Sequence, residues 1–407
     1  MKYLISGYYG EKNAGDEAIL AGILQEIGRR DQEASFTVLS FDPEDTKRRH
    51  GGGRELEAIP TSLRSSARIR TAMKTADLLI SGGGSFLHEA DFELHGRSFL
   101  LRKGKLRPIP YFLSVVLMAR AQGLPVMWYA QGLGPLHTRS SRRLIAGAAS
   151  ASQAVTWRES ASARLAYEIG VRAPIQQVVP DPAYALTPAT ADEARAELSR
   201  WRLSPATRYL AVCPRPWLGR SGYLESLGEA LDKAGSVLDL EIVLIPFHEV
   251  QDPPVCEALA ARPGFAGRAR VIPPVSSPTL LAAILGGAEA VVAMRLHSGI
   301  LAATAGTPAI VVDYDPKTRA FAEQTGQKRW SVDVDELEAP APDGAASLFA
   351  AIAYTLAGLP ARRAALARAV APLRADAGRT AGLAICLAAT GRVTPRRHRR
   401  HSAPSEA

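Results

Sequence analysis

The residues best suited to chemistry lie in one C-terminal stretch, Ala293-Met294-Arg295-Leu296-His297-Ser298-Gly299, followed by Gly306-Thr307-Pro308 and Tyr314-Asp315-Pro316-Lys317. His297 falls just past an apolar run that reads as a buried strand, at the start of a helix. A lone histidine is commonly a satisfied structural residue. This one is flanked by Arg295, and Lys317 follows the next strand, which in a parallel sheet brings it towards His297. Together they supply a proton donor and two fixed cations. Other cations share the placement. Arg158 follows Trp157 at a strand end, Arg215 is held between Pro214 and Pro216, and His248 ends Pro246-Phe247-His248. Each alone reads equally well as a surface charge. As a group they place cations on one rim, where a guanidinium grips a carboxylate or phosphate with two hydrogen bonds.

Glycine-rich segments accompany them. Ser6-Gly7-Tyr8-Tyr9-Gly10 leads into Asn13-Ala14-Gly15-Asp16-Glu17, which opens a helix. Such a start offers free N–H groups to an anion, and it reads equally as a plain capped helix with Asp16 and Glu17 complementing the dipole. It is neither GxGxxG nor a Walker loop. Gly82-Gly83-Gly84-Ser85-Phe86 reads as a second turn, its glycines explained by close approach to a ligand or to a facing domain. Gln131-Gly132-Leu133-Gly134-Pro135 reads as a third cleft loop or as a simple tight turn.

Apolar runs at Tyr3–Ile5, Phe36–Leu39, Ala76–Ile80, Pro125–Tyr129 and Ala154–Trp157 alternate with helical stretches, among them Glu17–Ile27. Pro180-Asp181-Pro182 breaks that rhythm, and Thr187–Thr190 reads as a linker. A second series follows at Tyr209–Cys213, Leu240–Ile245, Ala290–Ala293 and Ala309–Val312, ahead of alanine-rich helices. The pattern predicts an α/β fold of two Rossmann-like αβ domains facing a cleft, residues 1–185 and 186–391, with a basic tail over 392–407. Ligands of such sheets collect at the carboxyl ends of the strands, where these segments fall.

With 47% apolar and 22% charged residues, the chain has the balance of a globular enzyme. The three cysteines are scattered and no Asp/Glu/His set has ligand spacing, so neither disulfides nor a metal site is expected and a reducing cytoplasm fits best. The net charge of +9 is unevenly placed: the tail after Gly391 carries five arginines against Glu406 alone, and the mildly basic remainder argues against a nucleic-acid reader. The first residues do not read as a signal peptide. The apolar run Ile109–Ala119 follows Arg102, Lys103, Lys105 and Arg107. It reads either as a contact with an anionic membrane surface or, the favoured reading, as a buried helix.

The stretches SGYYGEKNAGDEAIL, GGGSF, YAQGLGP, RES, PDPA, MRLHSGILAATAGTP and YDPK resemble the polysaccharide pyruvyltransferases, in particular the cell-wall branch that serves surface-layer anchoring. The resemblance extends from Tyr3 to around Gly326 and departs at Leu87-His88-Glu89-Ala90-Asp91, where a shorter run is usual. It implies a GT-B-like fold and phosphoenolpyruvate as co-substrate, with no cofactor. It also implies an acceptor N-acetylmannosamine in a lipid-pyrophosphate-linked disaccharide of the secondary cell wall polymer, modified at the inner face of the membrane. By the same resemblance His297 is the catalytic acid, and Lys317, Arg158 and Arg215, with Arg295 beside them, contact the donor. Asn13, Gly15, Asp16, Glu17, Gly83, Gly84, Ser85 and His248 remain for the acceptor or for loop contacts, with residues 1–185 expected as the acceptor side and 186–391 as the donor side. Asp16, Glu17 and Asp315 all stand open as the base. The competing reading on the same architecture is a nucleotide-sugar-dependent glycosyltransferase.

Overall fold

The computed structural model describes residues 1–89, 101–102, 105–106, 108–204, 206–217, 219–265, 267–338 and 343–390. Ala90 and Asp91, the basic residues Lys103 and Arg107, and the tail from residue 391 lie outside these.

The first lobe holds β1 (Lys2–Ser6), β2 (Ser35–Ser40), β3 (Leu56–Pro60), β4 (Leu78–Leu87), the short antiparallel pair β5 (Leu101–Arg102) and β6 (Lys105–Leu106), β7 (Val126–Leu133), β8 (Ala154–Trp157) and β9 (Ile175–Val178). Its helices are α1 (Ala14–Arg30), α2 (Pro43–His50), α3 (Ser66–Thr75), α4 (Pro108–Ala121), α5 (Arg139–Ser150) and α6 (Ser160–Glu168). The second lobe has β10 (Tyr209–Cys213), β11 (Glu241–Leu244), β12 (Ala269–Val271), β13 (Ala290–Ala293), β14 (Ala309–Asp313) and β15 (Val332–Asp333). Its helices are α7 (Ala191–Arg200), α8 (Gly222–Leu238), α9 (Pro253–Ala260), α10 (Pro278–Gly287), α11 (Leu296–Thr304), α12 (Pro316–Gln324), α13 (Val334–Glu338), α14 (Asp343–Ala357) and α15 (Leu359–Ala389).

Both large sheets are parallel and doubly wound, ordered β3-β2-β1-β4-β7-β8-β9 and β12-β11-β10-β13-β14-β15. The strand order reverses between β1 and β4 in the first and between β10 and β13 in the second. At such a switch point the connections leave in opposite directions and open a crevice at the carboxyl edge. Tyr3, Leu4 and Ile5 are buried on both faces of β1, as are Val291 and Val292 on β13, which is why these strands read as continuous apolar runs.

Two glycine segments expected as turns are strand. β4 continues through Gly82-Gly83-Gly84 to Leu87, and β7 through Gln131-Gly132-Leu133, because the two strands keep pairing past an irregularity, Gly84 opposite Gln131 and Leu87 opposite Leu133. The glycines answer to α1 of the same lobe. Gly83 and Gly84 have φ of +63° and +95°, and a Cβ on Gly83 would meet Ile19 Cγ2 at 2.1 Å. Glu89, in the run that departs from the family pattern, accepts from the His137 and Thr138 N–H groups and from the Thr138 and Ser141 hydroxyls. It thereby anchors the start of α5. The stretch Ile109–Ala119 lies in the core helix α4, with Phe112, Leu113, Val115 and Val116 buried. No single helix among the described residues is long and apolar enough to cross a membrane.

The lobes share more than a linker. Ala14, Ala18 and Ala21 of α1 belong to the apolar core beneath β10 and β13. α15 places Leu366 and Val370 in that same core, then Ala381, Ala384 and Leu387 against the first sheet. The last turns of residues 186–391 therefore pack with the first lobe.

Candidate functional site

The two switch points face one another, and the side chains between them come from both lobes. From the first lobe, Asn13 caps α1 by accepting from Gly15 N at 3.0 Å. The Ala14 N–H donates to the Phe247 carbonyl of the second lobe at 2.8 Å, and the Glu249 N–H to the Lys12 carbonyl at 3.0 Å. This main-chain bridge presses the start of α1 against the start of α11. Gly15 is required there, because a Cβ would meet His297 Nδ1 at 2.4 Å.

His297 extends from the first turn of α11 to the first lobe, where its Nε2 lies 3.3 Å from Asp181 Oδ2. Asp181 caps a short 3-10 turn, Pro182–Ala185, accepting from Ala183 N at 3.0 Å, and receives Arg158 Nη1 at 3.2 Å. Burial alone would raise its carboxyl. His297, Arg158 and the Ala183 N–H outweigh that and hold it at about 2. Asp181 is thus a fixed anion that orients the imidazole and faces the charge the ring carries when protonated.

Arg158, at the end of β8, is buried, and it also donates to Glu159 and to the Ser85 hydroxyl. Burial opposes its charge, but the carboxylates of Glu159 and Asp181 keep it above its ordinary range. Asp16, in the first turn of α1, is half-buried under Gly84, and a Cβ there would lie 3.2 Å from Asp16 Oδ1. Burial pushes the Asp16 carboxyl up to about 7 against the pull of His297, with Glu17 adding to the rise. Glu17 itself is spent on structure, accepting from Gly10 N at 2.8 Å and lying 2.7 Å from His50 Nε2.

On the second lobe, Arg215 follows β10. It donates to the Tyr314 hydroxyl at 3.0 Å and stacks over Trp217 and Tyr314, 5.5 and 5.2 Å from their ring centroids. Lys317 stands in the first turn of α12, behind the Asp315 cap. Burial lowers its ammonium, and Arg158 and Arg215 lower it further against Asp315 and Glu159. Neither Arg215 nor Lys317 has a carboxylate within ion-pair distance among the described residues. Beside the N-termini of α11 and α12 they form a cradle for an anion.

Most of the residues singled out in the sequence converge here: His297, Arg158, Lys317, Arg215, Gly15, Asp16 and Ser85. Three differ from expectation. Arg295 is held by Asp252, which also accepts from the Phe247 and His248 N–H groups, so it braces the bridging loop. Lys317 sits in the field of Arg158 and Arg215, one step removed from His297. His248 accepts from the Val250 and Gln251 N–H groups through Nδ1, and burial and Arg295 lower its imidazole. Asp181 was missed, although the break at Pro180-Asp181-Pro182 marked its place. Among the described residues no group of His, Cys, Asp and Glu is placed to hold a metal ion.

Two parallel α/β lobes meeting at their carboxyl edges are a GT-B fold, and solved structures agree. HepE of Anabaena, in complex with UDP-glucose, matches with a TM-score of 0.59 at 13% identity over 96% of this chain and 100% of HepE. MnaA of S. aureus, with UDP, matches with a TM-score of 0.55 at 11% identity over 95% of each chain. The UDP-GlcNAc 2-epimerase of Neisseria meningitidis, bound to UDP-GlcNAc, matches with a TM-score of 0.56 at 12% identity over 96% of this chain and 100% of the epimerase. These likenesses concern the fold alone. Residues 13–316 match the polysaccharide pyruvyl transferase family, and the chain belongs to it. The amylovoran biosynthesis protein AmsJ of Erwinia amylovora is 22% identical over 391 residues, 83% of this chain and 89% of AmsJ. The chain is accordingly a transferase of polysaccharide biosynthesis.

Proposed function

We propose that this protein moves the pyruvyl group of phosphoenolpyruvate onto two hydroxyls of one sugar, forming a 4,6-ketal and releasing phosphate. The acceptor in this reading is N-acetylmannosamine of a lipid-linked cell-wall disaccharide, met at the inner face of the membrane. The observation that supports it is the pairing, across the lobes, of His297 with Asp181, together with two cations, Lys317 and Arg215, that have no ion-paired carboxylate among the described residues. A small trianion needs such cations at its phosphate and carboxylate, and its methylene carbon needs a proton donor.

His297 protonates that methylene carbon, and the positive charge that develops at the neighbouring carbon is taken up by the oxygen it bears. An acceptor hydroxyl bonds to this carbon and gives up its proton. The second hydroxyl then closes the ring as the carbon–oxygen bond to phosphate breaks. Of the two hydroxyl protons, one replaces the proton His297 gave up and the other departs on the phosphate. Fixing donor and acceptor between two lobes removes much of the entropic barrier to their meeting.

The test is incubation with phosphoenolpyruvate and candidate acceptors, following phosphate release and the mass of the acceptor. Acceptor gaining one pyruvyl mass per phosphate released is expected. Turnover of a UDP-sugar with phosphoenolpyruvate left intact would replace this reading with a glycosyltransferase. Co-sedimentation with anionic liposomes tests the membrane location.

A further inference from the structure

Three carboxylates stand open as the base that receives the acceptor's proton, Glu17, Asp315 and Asp16, and the structure separates them by their partners. Glu17 is buried and committed to Gly10 N and His50. Asp315 caps α12, accepting from Lys317 N at 2.8 Å and closing a capping box with Thr318. Asp16 has neither kind of commitment: no hydrogen bond or ion pair to it occurs among the described residues. It is half-buried between the switch point of its own sheet and His297 of the facing lobe.

We infer that Asp16 is the general base that takes the proton from the attacking acceptor hydroxyl. This rests on the pyruvyl-transfer reading above. The carboxylate accepts the hydroxyl proton as the sugar oxygen bonds to the donor carbon, and the proton passes on to reset the His297 imidazole. The groups that face Asp16 are His297 on α11, Arg158 after β8, Asp181 before the 3-10 turn, Glu17 on α1 and Tyr9 after β1. His297 and Arg158 favour the carboxylate, while burial, Glu17 and Asp181 disfavour it, and the balance leaves it near 7. A carboxyl there gains and loses a proton near neutrality, whereas Asp181 at about 2 stays ionised. Two carboxyls driven apart by their surroundings divide the labour, one as proton carrier and one as fixed charge.

The experiment compares wild type, Asp16→Asn and Asp16→Glu in steady-state phosphate release from phosphoenolpyruvate across pH 5 to 9, with donor binding measured separately. Asp16→Asn should lower kcat by about 10²- to 10⁴-fold with little change in donor affinity. It should also erase the rise of kcat with pH near neutrality that is expected of wild type. Asp16→Glu should keep part of the rate and of the rise. A folding control is built in: the wild-type Asp16 carboxyl is raised in the folded chain, so its ionisation costs stability as pH climbs from about 4 through 7. Asp16→Asn should therefore melt higher than wild type at pH 8 and at nearly the same temperature at pH 4. Full turnover in Asp16→Asn, or loss of donor affinity as the main effect, would overturn the assignment. If wild type itself releases no phosphate from phosphoenolpyruvate with any acceptor, the reading of the reaction has failed instead.

Discussion

The two lobes bring opposite electrostatics to the cleft they share. In the first, the cation is already neutralised: Arg158 is gripped by Asp181 and Glu159, and Asp16 lies alongside. In the second, Arg215 lies over aromatic rings and Lys317 at a helix N-terminus, neither ion-paired to a carboxylate among the described residues, with Asp315 and Glu159 only in the wider field of Lys317. In the pyruvyl-transfer reading proposed above, the anionic donor lies against the second lobe, where its charge is needed, and the sugar against the first, where an anionic ligand would meet carboxylates. His297 grows from the second lobe and is oriented by the first, which ties proton transfer to the contact between them.

The sharpest way to break this division is His297→Ala, which should cut phosphate release by about 10²- to 10⁴-fold while donor binding, followed by calorimetry, survives. Full turnover would remove the proposed acid. Lys317→Ala should raise the dissociation constant for phosphoenolpyruvate by about 10- to 100-fold, the worth of a charged hydrogen bond of about 1.5–3 kcal/mol. An equal effect on acceptor KM alone would reverse the assignment of donor and acceptor to the lobes. Asp181→Asn should reduce kcat more than it changes donor affinity, since it touches the imidazole. It should also cost on the order of 2 kcal/mol of stability at neutral pH. The sign follows from a carboxyl lowered on folding: the stabilisation is present above about pH 4 and fades as pH falls towards 2, so the difference in Tm between wild type and variant should shrink over that window. Arg215→Lys should have the smallest effect, a few-fold in donor affinity, because charge stays while the planar stacking over Trp217 and Tyr314 goes.

The sequence carried the central strands clearly because they are buried on both faces and contain little else than apolar residues. It hid the edge strands for the opposite reason. β9 is Ile175-Gln176-Gln177-Val178 and largely exposed, while β12 and β15 are very short. The helix start at Asn13 and the cations at strand ends were legible from local rules. Their partners were not, because Asp181 and Asp252 reach Arg158 and Arg295 only through packing of segments 23 and 43 residues apart. The glycines of β4 read as approach to a ligand or to a facing domain, yet the neighbour is Ile19 of α1 in the same lobe, a fact of tertiary packing that composition cannot supply.

The shared alanine face of α1 carries a consequence for any attempt to divide the chain. Severing it in the linker around Thr187–Thr190 would strip Ala14, Ala18 and Ala21 of their cover and leave the far end of α15 without its docking surface. Fragments made there should be sticky and should reassemble only when co-expressed. The same seam, closed by the hydrogen bonds that join Lys12 and Ala14 to Glu249 and Phe247, makes this enzyme a poor jaw. The lobes should therefore keep their spacing through the proposed reaction, and turnover should depend little on solvent viscosity.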